Sequence, residues 1–221
     1  MKSLLVIPYY LELQRRMLNT FRYVSCHKRN FGTYSVVLES LLIDTCSFFD
    51  SLCQTFIREE SRAGHGFKQE PKVGKFREKV DTTEEFNYGD YRKLLEGDFG
   101  LSAKKVSLNL YEDALLDPMH SLPNSDSGYL IAPFLEWASI PEVASPWWSA
   151  FIHLRHDRIN NFHEATLENA IYSLASVFIM LSLTSETEFK TGAVPLEVYN
   201  LFFPKYWTFK GRVSVMNFMW S

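Results

Sequence analysis

The sequence predicts a mostly α-helical bundle, with long ordered loops and a small β-hairpin near its C-terminal end. Three observations predict it. Apolar residues recur at steps of three and four through 8–26, 33–59, 145–158 and 166–183. Prolines gather outside those stretches. Hydrophobic residues make up 46% and charged residues 22% of the 221-residue chain, a balance that suits one globular domain spanning 1–221.

The elements follow in order. Tyr10, Leu13, Met17, Phe21 and Val24 form one stripe, so 8–26 reads as an amphipathic helix with Pro8 in its first turn. Residues 33–59 carry a broader stripe, from Tyr34 and Val37 through Leu41, Thr45, Phe49 and Leu52 to Phe56. Glu39, Asp44, Asp50 and Arg58 fall largely off it. Residues 60–82 are polar and glycine-containing and read as a mobile loop. Asp81-Thr82-Thr83-Glu84-Glu85 reads as a capped, acid-rich helix start, and that helix is expected to stop at Gly97.

Residues 106–110 alternate like a short strand. Pro118, Pro123, Pro133, Pro141 and Pro146 exclude a long helix over 117–146, which reads as an ordered loop pinned by Tyr129, Phe134, Leu135 and Trp137. Ser145-Pro146-Trp147 begins a helix expected to reach Arg158, and 166–183 forms the next. Lys210-Gly211, between Thr208-Phe209 and Val213–Val215, reads as a hairpin.

Composition bounds function. A net charge of −3 argues against a coat protein for nucleic acid, though not against an enzyme with a local basic patch. Three cysteines without metal-type spacing argue against a secreted disulfide framework. Cys46 and Cys53 are seven apart, share one helix face and read as small packed apolar groups. The first residues open like a signal peptide, but the apolar run Leu4-Leu5-Val6-Ile7 is short and Arg15-Arg16 follow. The apolar stretch 171–183 is broken by serines and is shorter than the ~20 residues of a membrane span. A cytoplasmic chain without membrane contact is the expectation.

The densest group of chemically active side chains is His153, Arg155, His156, Asp157, Arg158, Asn160, Asn161 and His163, at the junction of two predicted helices. Cleavage of RNA without a metal needs a group that moves protons at the 2′-hydroxyl and the leaving oxygen, a task suited to His. It also needs a fixed cation for the phosphate, a task suited to the planar fork of Arg. Arg158 and His163 supply both, with four residues between them. Arg22/His27 and Arg58/His65 have comparable spacing, but neither sits at a helix–helix corner. His153 and His156 have the spacing of a helical metal pair, but no third ligand accompanies them, so no metal or cofactor is expected.

The run Arg158-Ile159-Asn160-Asn161-Phe162-His163, at a helix–helix corner of an all-α domain, resembles the HEPN superfamily, whose motif is Arg, four to six residues, then His. Ile159 departs from the polar residue that often follows the Arg. The resemblance implies a helical bundle that pairs as a homodimer around a shared RNA cleft. Arg158 would bind phosphate, His163 would be the acid/base, and Asn160 or Asn161 would orient them. Attack of the 2′-hydroxyl on the adjacent phosphate would leave a cyclic phosphate end. Arg155, His156 and Trp148 complete the expected RNA contacts, and toxin–antitoxin or anti-phage systems are the expected setting. The alternative open at this level is a non-catalytic helical module that binds a protein partner or dimerises. In it Arg158 is a cation at a helix end, His163 is solvated or caps a helix, and of Trp147 and Trp148 one ring anchors the core and the other covers the helix start.

Overall fold

A computed structural model describes residues 3–67, 79–80, 85–108, 129–140, 142–205, 208–209 and 212–213. The described chain is mostly helical, with a small antiparallel sheet.

Helix α1 spans Ser3–Thr20 and carries Pro8 in its interior rather than in its first turn. It begins before, and ends sooner than, the expected 8–26. Its end is set by Thr20, whose hydroxyl donates to Arg16 O at 3.0 Å and whose carbonyl accepts from Tyr23 and Val24 at 3.0 Å each. Tyr10, Leu13 and Met17 are buried as the stripe requires.

Helix α2, Val36–Arg62, starts at Ser35, whose Oγ accepts from Leu38 N at 3.2 Å. It continues past 59, so the stretch expected as a loop over 60–82 begins as helix. Phe67 is buried, and residues 79–80 are helical again. The expected mobility of the centre of that stretch concerns 68–78, which lie outside the described residues. All three cysteines are buried and unbridged, and Cys46 and Cys53 share the core face of α2.

Helix α3 is composite: Tyr88–Tyr91, a π-helical segment Arg92–Glu96, then Gly97–Phe99. The expected start at 81–84 lies outside the described residues; residues 85–87 are not helical, and Asn87 and Asp90 form a capping box that opens α3. Buried Gln54 of α2 explains that extended approach. Its amide donates to Phe86 O at 2.8 Å and to Tyr91 Oη at 2.7 Å, and its carbonyl accepts from Phe86 N at 3.2 Å. Phe86 therefore finds its backbone partners in a side chain rather than in a helix. Past Gly97 the helix runs on to Gly100, where φ is +55°.

Strand β1, Lys105–Leu108, forms where alternation predicted it; 109–110 lie outside the described residues. It is the centre of a sheet ordered β2-β1-β3, with β2 Tyr129–Ile131 and β3 Phe202–Lys205 both antiparallel to it. Val106 pairs with Ile131 on one side and Pro204 on the other. Pro204 is tolerated because β3 is an edge strand. Two further strands, β4 Thr208–Phe209 and β5 Arg212–Val213, pair across the expected hairpin position.

Of the proline-rich stretch, Phe134 and Trp137 are buried anchors, but Leu135 is exposed rather than pinning the loop. Among its described residues a 3₁₀ turn, Leu135–Ala138, interrupts it. Buried Arg92 clasps the turn by donating to Trp137 O at 3.0 Å and Ser139 O at 2.6 Å.

Helices α4 (Pro146–His156), α5 (Arg158–Asn161), α6 (Leu167–Thr184) and α7 (Glu186–Thr191) follow. Helix α6 is central and packs on α1, α2 and α4. By length and composition alone it would suit a membrane span, but it is buried among the other helices. Ser173, Ser176 and Ser182 donate back to the carbonyls of Ala170, Ser173 and Ile179, so their hydroxyls are satisfied inside the core.

Candidate functional site

The corner between α4 and α6 is built by side chains that cap one helix and start the next. Helix α4 is held by Trp147, which is fully buried and donates from Nε1 to Pro133 O at 2.7 Å. Pro146 occupies its first turn, although Ser145 makes no side-chain cap. The helix ends at His156 rather than at Arg158. Asp157, with φ −149° and ψ 79°, breaks it and caps α5, accepting from Asn160 N at 3.2 Å and Asn160 Nδ2 at 2.6 Å. These bonds, the side-chain one foremost, hold the Asp157 carboxyl below its ordinary range. Arg158 is therefore the first residue of a new helix, not the last cation of the old one.

Asn161 closes the other side, donating from Nδ2 to Asp157 O at 2.8 Å and His153 O at 3.3 Å. Both asparagine amides thus build the corner. A 3₁₀ turn, Phe162–Glu164, then leads into α6, which starts at Thr166 with its side chain accepting from Asn169 N. The first turn of α6 also finds carbonyls from the α1–α2 connection. Leu167 N donates to Thr33 O at 2.8 Å and Glu168 N to Phe31 O at 3.1 Å. Tyr34 bridges to Thr166, and its ring meets Phe162 edge-on at 5.6 Å. The corner is thereby docked on the first turn of α2.

That docking covers a residue off the apolar stripe of α2. Glu39 does not face solvent; it is buried in the first turn of α2. Arg158 Nε lies 2.6 Å from Glu39 Oε1, with Arg158 64% and Glu39 7% exposed. The approach is off the N–H axis, so charge rather than a linear hydrogen bond joins them, and no hydrogen-bond donor reaches Oε1 among the described residues. Arg158 is the cation that compensates a buried carboxylate.

His163 and His156 are exposed, with no hydrogen bond or ion pair formed by either ring among the described residues. His153 Nδ1 sits 2.9 and 3.0 Å from the two oxygens of Glu164, which fixes the ring's orientation. Arg155 lies over the Phe151 ring at 5.3 Å. Trp148 is not displayed for a base: it is buried, and its ring stacks on Tyr88 at 4.7 Å. Sequence reasoning missed Glu39 and Glu164, the two carboxylates that orient basic side chains here. Nothing in the local pattern marks Glu39, because a crossing helix far along the chain buries it.

A second polar group lies along α2. Asp50 Oδ1 accepts from Tyr91 Oη at 2.5 Å, close to the amide of Gln54. Burial raises the Asp50 carboxyl, against the opposing effects of the Tyr91 bond and Arg155. A folded-state value above the unfolded one means that the native state holds the proton more tightly. Stability from this group is therefore greatest at low pH and falls as pH rises through the carboxylate range. Asp50→Asn keeps an acceptor for Tyr91 but removes the titration. Urea denaturation should show the variant gaining on the wild type between pH 3 and pH 6, in the region of ordinary and raised carboxylate values. A gap independent of pH would exclude Asp50 as its source.

Among the described residues, no three His, Cys, Asp or Glu side chains gather as metal ligands. No protein-family model, curated protein or solved structure matches the chain.

Proposed function

We propose that the chain is a metal-independent endoribonuclease of HEPN-like type, acting at the corner of Arg158 and His163. One observation carries the reading. An exposed guanidinium is held from behind by a buried carboxylate, in the same short corner as an exposed imidazole. An arginine that served only to neutralise Glu39 would be expected to sink with it, whereas the side chain of this one is 64% exposed. In this mechanism Arg158 takes the scissile phosphate and stabilises its developing charge. His163 moves the proton between the 2′-hydroxyl and the leaving oxygen, and a 2′,3′-cyclic phosphate and a 5′-hydroxyl result. Asn160 and Asn161 act by holding the corner. The reading extends to a homodimer whose two corners share one RNA strand, in the cytoplasm, with an antitoxin or other protein partner.

The test is cleavage of a labelled oligoribonucleotide by the wild type, His163→Ala and Arg158→Ala, with folding checked by circular dichroism. Cleavage that survives chelator and is lost in both folded variants supports the reading. Intact RNA with the wild type, or equal cleavage by the variants, overturns it.

A second reading, a non-catalytic helical module that binds a protein partner or dimerises, draws on exposed apolar residues near the corner. Ile159 is 90% exposed, and Val36 and Val37 in the first turn of α2 are also exposed. Under that reading Ile159→Asp disrupts assembly, measured by light scattering, and the wild type leaves RNA intact.

A further inference from the structure

Glu39 presents a physical problem that the ribonuclease reading does not itself address. A carboxylate in a buried first turn has lost most of its water, and the positive end of α2 compensates only part of that cost. Among the described residues the cation against it is Arg158, which comes from the other half of the chain. For stability alone, an apolar side chain at 39 would serve at least as well, since replacing a buried ion pair by packed apolar groups is often neutral or favourable. Glu39 comes closest to the guanidinium at Nε, the inner end of the fork, and the arginine side chain is 64% exposed. A guanidinium engaged at Nε still has its outer Nη1–Nη2 edge, whose geometry matches two oxygens of a phosphate.

We propose that Glu39 is a positioning residue: it holds Arg158 by the Nε side so that the outer edge is presented to a phosphate. The inference rests on the ribonuclease reading for the identity of that phosphate, but it makes its own prediction about anion binding. Charge alone and positioning give opposite signs. Removing a negative charge beside Arg158 strengthens anion binding if only the local potential matters. It weakens binding if the carboxylate fixes the fork, because the free side chain must then be ordered by the ligand.

Glu39→Gln, which keeps the size of the side chain, is the informative variant. The probe is inorganic phosphate, titrated at constant ionic strength. The reporter is the Arg158 ¹⁵Nε–¹H resonance, assigned by its absence in Arg158→Lys. In the wild type the group should be rigid on the nanosecond timescale. In Glu39→Gln it should become mobile, and phosphate affinity should fall about tenfold, the cost of ordering one freed, rotamer-rich side chain on binding. Arg158→Lys should lose phosphate affinity although the charge remains, because a point charge cannot face both partners. Glu39→Gln added to Arg158→Lys should then cause no further loss.

Phosphate affinity in Glu39→Gln that equals or exceeds that of the wild type overturns the proposal, as does an unchanged order parameter. Single-turnover cleavage separates the two claims. A wild type that orders and binds phosphate as described but leaves RNA intact retains the positioning role and removes the ribonuclease. A wild type that cuts RNA, with Glu39→Gln cutting at the same rate, retains the ribonuclease and removes the positioning role.

Discussion

His163→Ala is expected to slow single-turnover RNA cleavage by about 10²- to 10⁴-fold, the range for losing a positioned general acid or base. The same change should leave the unfolding free energy within about 0.5 kcal/mol, as for surface substitutions without buried partners. The second expectation follows from how the 3₁₀ turn is held. Phe162 on one side of His163 packs on Tyr34, and Glu164 on the other side accepts from His153 and, at its carbonyl, from Asn169. The His163 ring itself is exposed and makes no such contact among the described residues. Removing it takes chemistry from the corner and leaves the scaffold in place. Arg158→Ala is a less clean comparison, because it leaves the buried Glu39 carboxylate without its cation. A fall in rate there mixes lost phosphate binding with a disturbed first turn of α2, so Arg158→Lys is the better partner for His163→Ala. Equal rates for wild type and His163→Ala would remove His163 from the mechanism, whatever Arg158 does.

Much of this architecture is legible in the residue pattern, and the exceptions have identifiable causes. Helices α1, α2, α4 and α6 follow from a 3.6-residue period over long windows, where the signal accumulates. The end of α4 and the start of α3 are set by short capping patterns. Asp157 with Asn160 is an N-cap pair three residues apart, and so is Asn87 with Asp90; either is readable as a helix start. The expected end of α4 at Arg158 passes over the first. Strands β2 and β3 carry no comparable signal, since three or four residues cannot establish a period and their pairing with β1 is set across the fold. The candidate site divides in the same way. Arg158, Asn160, Asn161 and His163 are neighbours in sequence, so one turn brings them together. Glu39 joins them only because α6 docks on Phe31 and Thr33 and carries the corner over α2. Trp148 was expected to meet RNA because it precedes the corner, but α3 brings Tyr88 to cover it.

Trp147→Ala should have the largest effect on stability, about 3–5 kcal/mol, the range for truncating a fully buried large aromatic. That is a large share of the roughly 5–15 kcal/mol that holds a domain together. The indole meets Phe49 of α2 at 5.2 Å and Trp148 at 5.8 Å, both near perpendicular, and Phe134 of the proline-rich segment at 6.2 Å. Its Nε1 also satisfies Pro133 O, which would be left buried and unpaired. Trp147 thus joins α2, α4 and the segment before α4 at one point. Trp147→Phe separates the two contributions: it keeps a ring but loses the donor, and should cost about 1–3 kcal/mol. The consequence reaches the corner, because α4 is the lever that carries Asp157 and Arg158 over Glu39. A folded but loosened Trp147→Phe should lose cleavage rate in proportion to the loss of order at Arg158, read from the same ¹⁵Nε resonance. Unaltered order at Arg158 with α2 and α4 demonstrably loosened would mean that the corner is held by α6 and the α1–α2 connection alone.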